Sequence, residues 1–91
     1  MKSDVMTLEV QDVSGQKRAL ARDVDPELPA RVLVEKLIQD LRVPLNDVEG
    51  RPLAYSMVRQ RDRFHINPSE RIGASAQPGD VLVLQPEVEA G

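Results

Sequence analysis

A chain of 91 residues, 41% apolar and 30% charged, is sized for one folded unit and excludes a second core. Twelve Lys plus Arg against fifteen Asp plus Glu leave a net charge of −3, without the basic excess of a nucleic-acid clamp. The absence of cysteine excludes a disulfide framework, a thiolate nucleophile and a Cys-based metal site, and the single histidine, His65, argues against zinc.

The first five residues, Met1 to Val5, read as a polar leader. No later apolar run approaches the roughly 20 residues that cross a bilayer, so a cytoplasmic protein without membrane insertion is expected. Met6, Leu8 and Val10 alternate with polar residues, which predicts a half-buried strand. Ser14-Gly15 supplies a turn, and a second strand returns over 17–24 with Leu20 and Val24 facing inward. Pro29 then suits the first helical position, and Leu33, Val34, Leu37, Ile38 and Leu41 recur at spacings of three and four. That periodicity predicts a helix over 30–41 with one apolar stripe laid on a sheet. Pro44 stops it, and 44–52 reads as a surface connection.

Tyr55 and Met57 open a third strand, followed by an exposed turn at Arg59-Gln60-Arg61-Asp62-Arg63. Phe64 and Ile66 are expected to face the core, with His65 on the surface between them. Asn67-Pro68-Ser69-Glu70 has the residues of a short helical turn, anchored by Ile72. Gln77-Pro78-Gly79-Asp80 forms a tight turn into Val81-Leu82-Val83-Leu84, the most apolar strand, placed in the sheet interior beside the first. Pro86 is expected to end its pairing. The sum is an α+β fold: a mixed sheet of four to five strands on one main helix, in the order hairpin, helix, strand, short helix, strand.

This order resembles the ubiquitin-like β-grasp superfamily over residues 6–91. Met6, Leu8 and Val10 match ubiquitin's inward residues, Val13 its loop-tip leucine and Ser14-Gly15 its turn. With Leu82 and Leu84 as the inward leucines of the last strand, the seven residues 85–91 match ubiquitin's tail length, and Gly91 falls on its terminal glycine. Tyr55-Ser56-Met57, Ile66 to Ile72 and Gly79-Asp80-Val81-Leu82-Val83-Leu84 with Pro86-Glu87 are similar to bacterial YukD/EsaB-type proteins. That resemblance implies either a modifier in a ubiquitin-like conjugation operon or an accessory of a type VII secretion system.

The expected organisation is a leader (1–5), a β-grasp body (6–85) and a flexible C-terminal tail (86–91). A carrier needs a carboxylate that projects from its fold, is adenylated in another protein and passes to a cysteine. At about 3.3 Å per residue, 85–91 spans roughly 20 Å. Gly91 offers an unobstructed carbonyl for covalent attachment and Ala90 is the next smallest choice. Val88 would seat the tail between Glu87 and Glu89, whose charges call for a basic groove in the enzyme. Ubiquitin's apolar recognition patch maps to Val13, Ser56 and Gln85, of which one is hydrophobic, so receptors of that patch should bind poorly.

No catalytic pair emerges, so the chain is read as a non-enzyme without cofactor or metal. The leading function is a bacterial ubiquitin-like modifier whose Gly91 carboxylate is activated by a separate enzyme and joined to target amines. An activating enzyme, a conjugating enzyme and a JAB-like peptidase are its expected partners. A non-covalent accessory of a type VII-like secretion system, binding secretion-system components, ranks second; a sulfur carrier protein ranks third, since the usual double glycine is absent. Arg59, Arg61 and Arg63 are read as a solvated turn. Among the three lysines, Lys2 in the leader is the expected acceptor if chains form.

Overall fold

The computed structural model describes residues 5–87. Strands β1 (Met6–Asp12) and β2 (Arg18–Val24) form the first hairpin, followed by helix α1 (Ala30–Leu41). Strand β3 (Ala54–Arg59), the short β4 (Phe64–His65), one turn of 3₁₀ helix (Ile72–Ala74) and β5 (Val81–Glu87) complete the described chain. The sheet order is β2-β1-β5-β3-β4, with β5 parallel to β1 and antiparallel to β3. β5 is therefore interior and beside β1, as its apolar run predicts.

The helix side of the sheet carries the core. Leu8 and Val10 from β1, Met57 from β3 and Leu82 and Leu84 from β5 are buried against Leu33 and Leu37 of α1. Burying each such side chain contributes about 1.5–3 kcal/mol. Val81 and Val83 alternate with the inward leucines and are half-buried on the other face.

Hydrogen bonding explains both helix ends. Pro29 makes no side-chain cap; instead Ala30 N–H donates to Glu70 C=O at 2.8 Å and Arg31 N–H to Pro68 C=O at 3.0 Å. The 68–70 loop thus satisfies donors that every helix start leaves open. At the far end Arg42 adopts φ 55°, with N–H bonds from Arg42 to Gln39 C=O and from Val43 to Ile38 C=O. This crossed pair is a Schellman closure. Lys17 Nζ donates to the Arg42 carbonyl at 2.8 Å, tying the hairpin to the helix end.

Four expectations are corrected. Leu20 is 54% exposed, because a bulge between the Met6–Val24 and Leu8–Ala21 pairs puts one extra residue into β2. Asp23 takes φ 56° there, so Ala21 and Val24, three apart, both reach the core. Phe64 is 46% exposed: Ile66 enters the core, while the Phe64 ring lies 4.6 Å beneath the Arg59 guanidinium at the margin. Residues 67–70 form a turn rather than helix, with Ser69 N–H on Asn67 Oδ1 at 2.9 Å and Glu70 N–H on Asn67 C=O at 3.1 Å. The helical turn comes later, where buried Ile72 docks on Leu28 C=O through its N–H at 2.7 Å. Gly73 follows because a Cβ at its position would lie 2.6 Å from Pro26 Cβ.

The fourth correction concerns the end of β5. Pro86 does not end pairing: Gln85, Pro86 and Glu87 stand opposite Ser56, Tyr55 and Ala54, so the sheet includes two residues assigned to the tail. Ile66 N–H donates to Met57 C=O on the β4 side, and Gln60 N–H to Val81 C=O on the β5 side, both at 2.9 Å. Backbone groups of Tyr55, Met57 and Arg59 thus point away from β5, and those of Ser56 and Val58 towards it. Tyr55–Pro86 is a pair without mutual hydrogen bonds, so the N–H that Pro86 lacks is not required by this ladder. It faces the β1 side, beyond the last β1–β5 pair, Asp12–Leu84.

Candidate functional site

The predicted recognition residues gather where β5 leaves the sheet. Ser56 and Gln85 are cross-strand partners on the face away from the helix. Val13, 60% exposed, follows Asp12, whose partner on β5 is Leu84, so the hairpin tip lies beside the Leu84-to-Gln85 step. Glu87 stands opposite Ala54, and its carboxylate accepts a 2.7 Å hydrogen bond from Ser56 Oγ. One serine therefore touches the last described residue. Val88, Glu89, Ala90 and Gly91 lie outside the described residues, as does Lys2.

The hairpin tip is itself well ordered by hydrogen bonds. Ser14 Oγ donates to the Asp12 carboxylate at 2.9 Å, and Gly15 N–H donates to Asp12 C=O at 3.0 Å. Slight burial alone would raise the Asp12 pKa; the Ser14 hydroxyl, the Lys17 and Gly15 amides and the Lys17 charge outweigh it and hold the group below the usual carboxylate range. Burial raises the Tyr55 phenol above its ordinary value, with a further contribution from the Asp12 charge, and its hydroxyl donates to Pro44 C=O at 2.8 Å.

No protein-family model matches the chain, and no curated protein sequence matches it significantly. Solved structures do. Caldiarchaeum subterraneum ubiquitin is 14% identical with a TM-score of 0.67, covering 97% of this chain and 100% of that one. A protein designed on ubiquitin is 19% identical with a TM-score of 0.69, covering 93% and 92%. A chain of an ESX-5 inner membrane complex is 14% identical with a TM-score of 0.69; the match covers 96% of this chain and 22% of that one. The fold is a ubiquitin-like β-grasp. At such identities the likeness is one of fold.

Within this β-grasp the apolar surface of the open sheet face lies one row away from Ser56–Gln85. Val83 pairs with Val58, which pairs in turn with His65. Val58 is 8% exposed although it lies outside the helix-side core cluster. Sequence reasoning named Leu82 and Leu84 as the inward residues but did not follow the same period-two alternation to Val81 and Val83 on the other face. The arginines serve the β-grasp internally. Arg59 binds both Asp62 oxygens, at 2.9 and 2.6 Å, and donates to Ser75 C=O at 2.6 Å. Arg61 lies 3.3 Å from Asp80, and Arg63 takes φ 56° to close the turn. Among the described residues no helix is long and apolar enough to cross a membrane.

Proposed function

We propose that this protein is a ubiquitin-like modifier of the bacterial YukD-like kind, with Gly91, encoded last or exposed by trimming, supplying the transferable carboxylate. The observation that carries the reading is the exit of β5. The most central strand continues past its last β1 pair and reaches Glu87 beside Ser56, at the same end of the sheet as the hairpin residue Val13. After Glu87 the sequence reads Val88-Glu89-Ala90-Gly91, and its two smallest residues, Ala90 and Gly91, would leave the carbonyl of Gly91 open to a nucleophile. An activating enzyme would form the acyl adenylate from ATP with loss of pyrophosphate. A cysteine thiolate then displaces AMP, and a target amine displaces the thiol.

Recognition of the body would differ from that of ubiquitin. Ser56 and Gln85 put polar groups where an apolar pocket would leave them unpaired. Glu87 and Glu89 favour a basic groove for the tail. The test is purification under denaturing conditions after co-expression with any activating and conjugating enzymes that its neighbouring genes encode. A covalent adduct through Gly91 is expected, lost on deleting Gly91 while the melting temperature stays unchanged. Absence of any Gly91-dependent adduct overturns the proposal.

A second reading has one observation in its favour, the likeness to a domain of the ESX-5 inner membrane complex chain. On that reading the protein is a non-covalent component of a secretion-type assembly, docking through its sheet. Function in the assembly should then survive removal of 88–91.

A further inference from the structure

The cleft between α1 and β3 lies on the helix side of β3 and meets the surfaces described above only at Ser56. It holds about 240 Å³ of open volume, over a floor of Tyr55, Met57 and Ile66 and between banks that include Val34, Ile38 and Leu53. Arg31 and Glu35, exposed and one helical turn apart, line the helix bank. Among the described residues neither has an ion-pair partner.

The opposite bank is a strand edge. β4 pairs with β3 only at Val58 and Arg59, so among the described residues no strand lies along 54–56 on the side away from β5. The backbone alternation established by the Ile66–Met57 and Gln60–Val81 bonds aims the Tyr55 N–H and C=O into that gap. A donor and an acceptor side by side above an apolar floor form a template for one more strand. The open stretch is short: Leu53 N–H is already taken by Leu45 C=O, and Met57 C=O by Ile66 N–H. An antiparallel partner suits it, because one residue then exchanges both bonds with Tyr55.

We propose that this cleft receives an extended segment of a partner protein, paired antiparallel to β3 at Tyr55, with alternate apolar side chains on the floor. The helix bank sets its charges and direction. Arg31 lies at the Pro68 end, bonded there through its N–H, while the helix C-terminus lies near the start of β3, where Tyr55 reaches Pro44. A segment antiparallel to β3 therefore enters with an acidic residue beside Arg31 and leaves with a basic residue beside Glu35. This proposal does not depend on chemistry at Gly91.

Tyr55 is the chain's one tyrosine and there is no tryptophan, so intrinsic fluorescence reports on the cleft. The probe is a short blocked peptide with an acidic residue first, Val or Ile at alternate positions and Lys last. Saturable change of the Tyr55 signal is expected, together with slower hydrogen exchange of the Tyr55 amide. N-methylating the peptide residue opposite Tyr55 should weaken binding roughly tenfold, and the Arg31→Glu, Glu35→Lys double variant should prefer the charge-swapped peptide. Equal binding of the N-methylated peptide would mean face docking, as by a helix, and would overturn strand addition. So would the absence of saturable binding. A peptide-free Tyr55 signal that depends on protein concentration would assign the cleft to a second copy. One that changes on deleting 88–91 would assign it to the chain's own end; either result overturns the proposal.

Discussion

The two halves of β5 are made of one continuous strand yet are held in different ways. Residues 81–84 lie between β1 and β3, and Leu82 and Leu84 are fully buried under α1. Residues 85–87 have β3 alone beside them, a half-buried or exposed surface, and one side-chain bond from Ser56 to Glu87. The difference shows that support for β5 falls off where its β1 partner runs out, after Leu84, and that the proline among its described residues does not decide it.

The sharpest way to break this comparison is to empty the core beneath the first half. Leu84→Ala should lower unfolding free energy by about 2–5 kcal/mol, read by chemical denaturation, a large share of the ~5–15 kcal/mol typical of a domain. Pro86→Ala probes the second half. With its missing N–H on the unpaired side, the substitution should destabilise by about 0.4–1 kcal/mol through the unfolded chain. Stabilisation instead would mean that a ladder bond had been restored, contrary to the register.

Ser56→Ala removes the bond to Glu87 and should change global stability by less than about 0.5 kcal/mol. Its effect belongs to local opening: amide exchange at Gln85 and Glu87 should quicken while Leu82 and Leu84 stay protected, as measured by hydrogen exchange and NMR. Equal acceleration in both halves would remove the distinction. The smallest expected effect is one of pH. The Arg59 hydrogen bond, with its charge, holds the Asp62 carboxyl below the usual carboxylate range, and Arg59 stands opposite Leu82 in the first half of β5. A depressed folded pKa gives stability that is present above the unfolded value and lost as pH falls through the folded one. Asp62→Asn should flatten that acid limb in a denaturation series without altering stability near neutrality beyond the loss of the pair.

Much of the architecture was legible because local period and burial agree. Met6, Leu8 and Val10 at spacing two, and Leu33, Leu37 and Leu41 at spacing four, needed no tertiary information. Leu20 and Phe64 were misplaced for the opposite reason. A bulge at Asp23 sets Ala21 rather than Leu20 on the same face as Val24, and nothing local in Arg22-Asp23-Val24 announces a non-glycine residue at positive φ. Phe64 lies on the helix side of the sheet but at its margin beside Arg59, and alternation cannot reveal where a covering helix stops. Ser56 and Gln85 were named together from the resemblance, and their pairing depends on the β3–β5 register. The outward side of Val83 follows from alternation with Leu82 and Leu84, but its pairing with Val58 and the cleft beside Tyr55 were not legible, since both join residues distant in sequence.

The order of strands and helix, the inward leucines, the turn at Gly79 and the acidic Glu87-Val88-Glu89 segment were determined by the sequence alone, because each depends on side-chain period, backbone freedom or charge within a few residues. Tertiary structure decided the register and the extent of strand pairing, with three consequences. Pro86 remained within the sheet, an edge of β3 was left open beside α1, and Ser56 came within reach of Glu87. The reason is physical: hydrogen-bond pairing joins residues tens of positions apart, and its register sets which backbone groups are satisfied and which still face solvent.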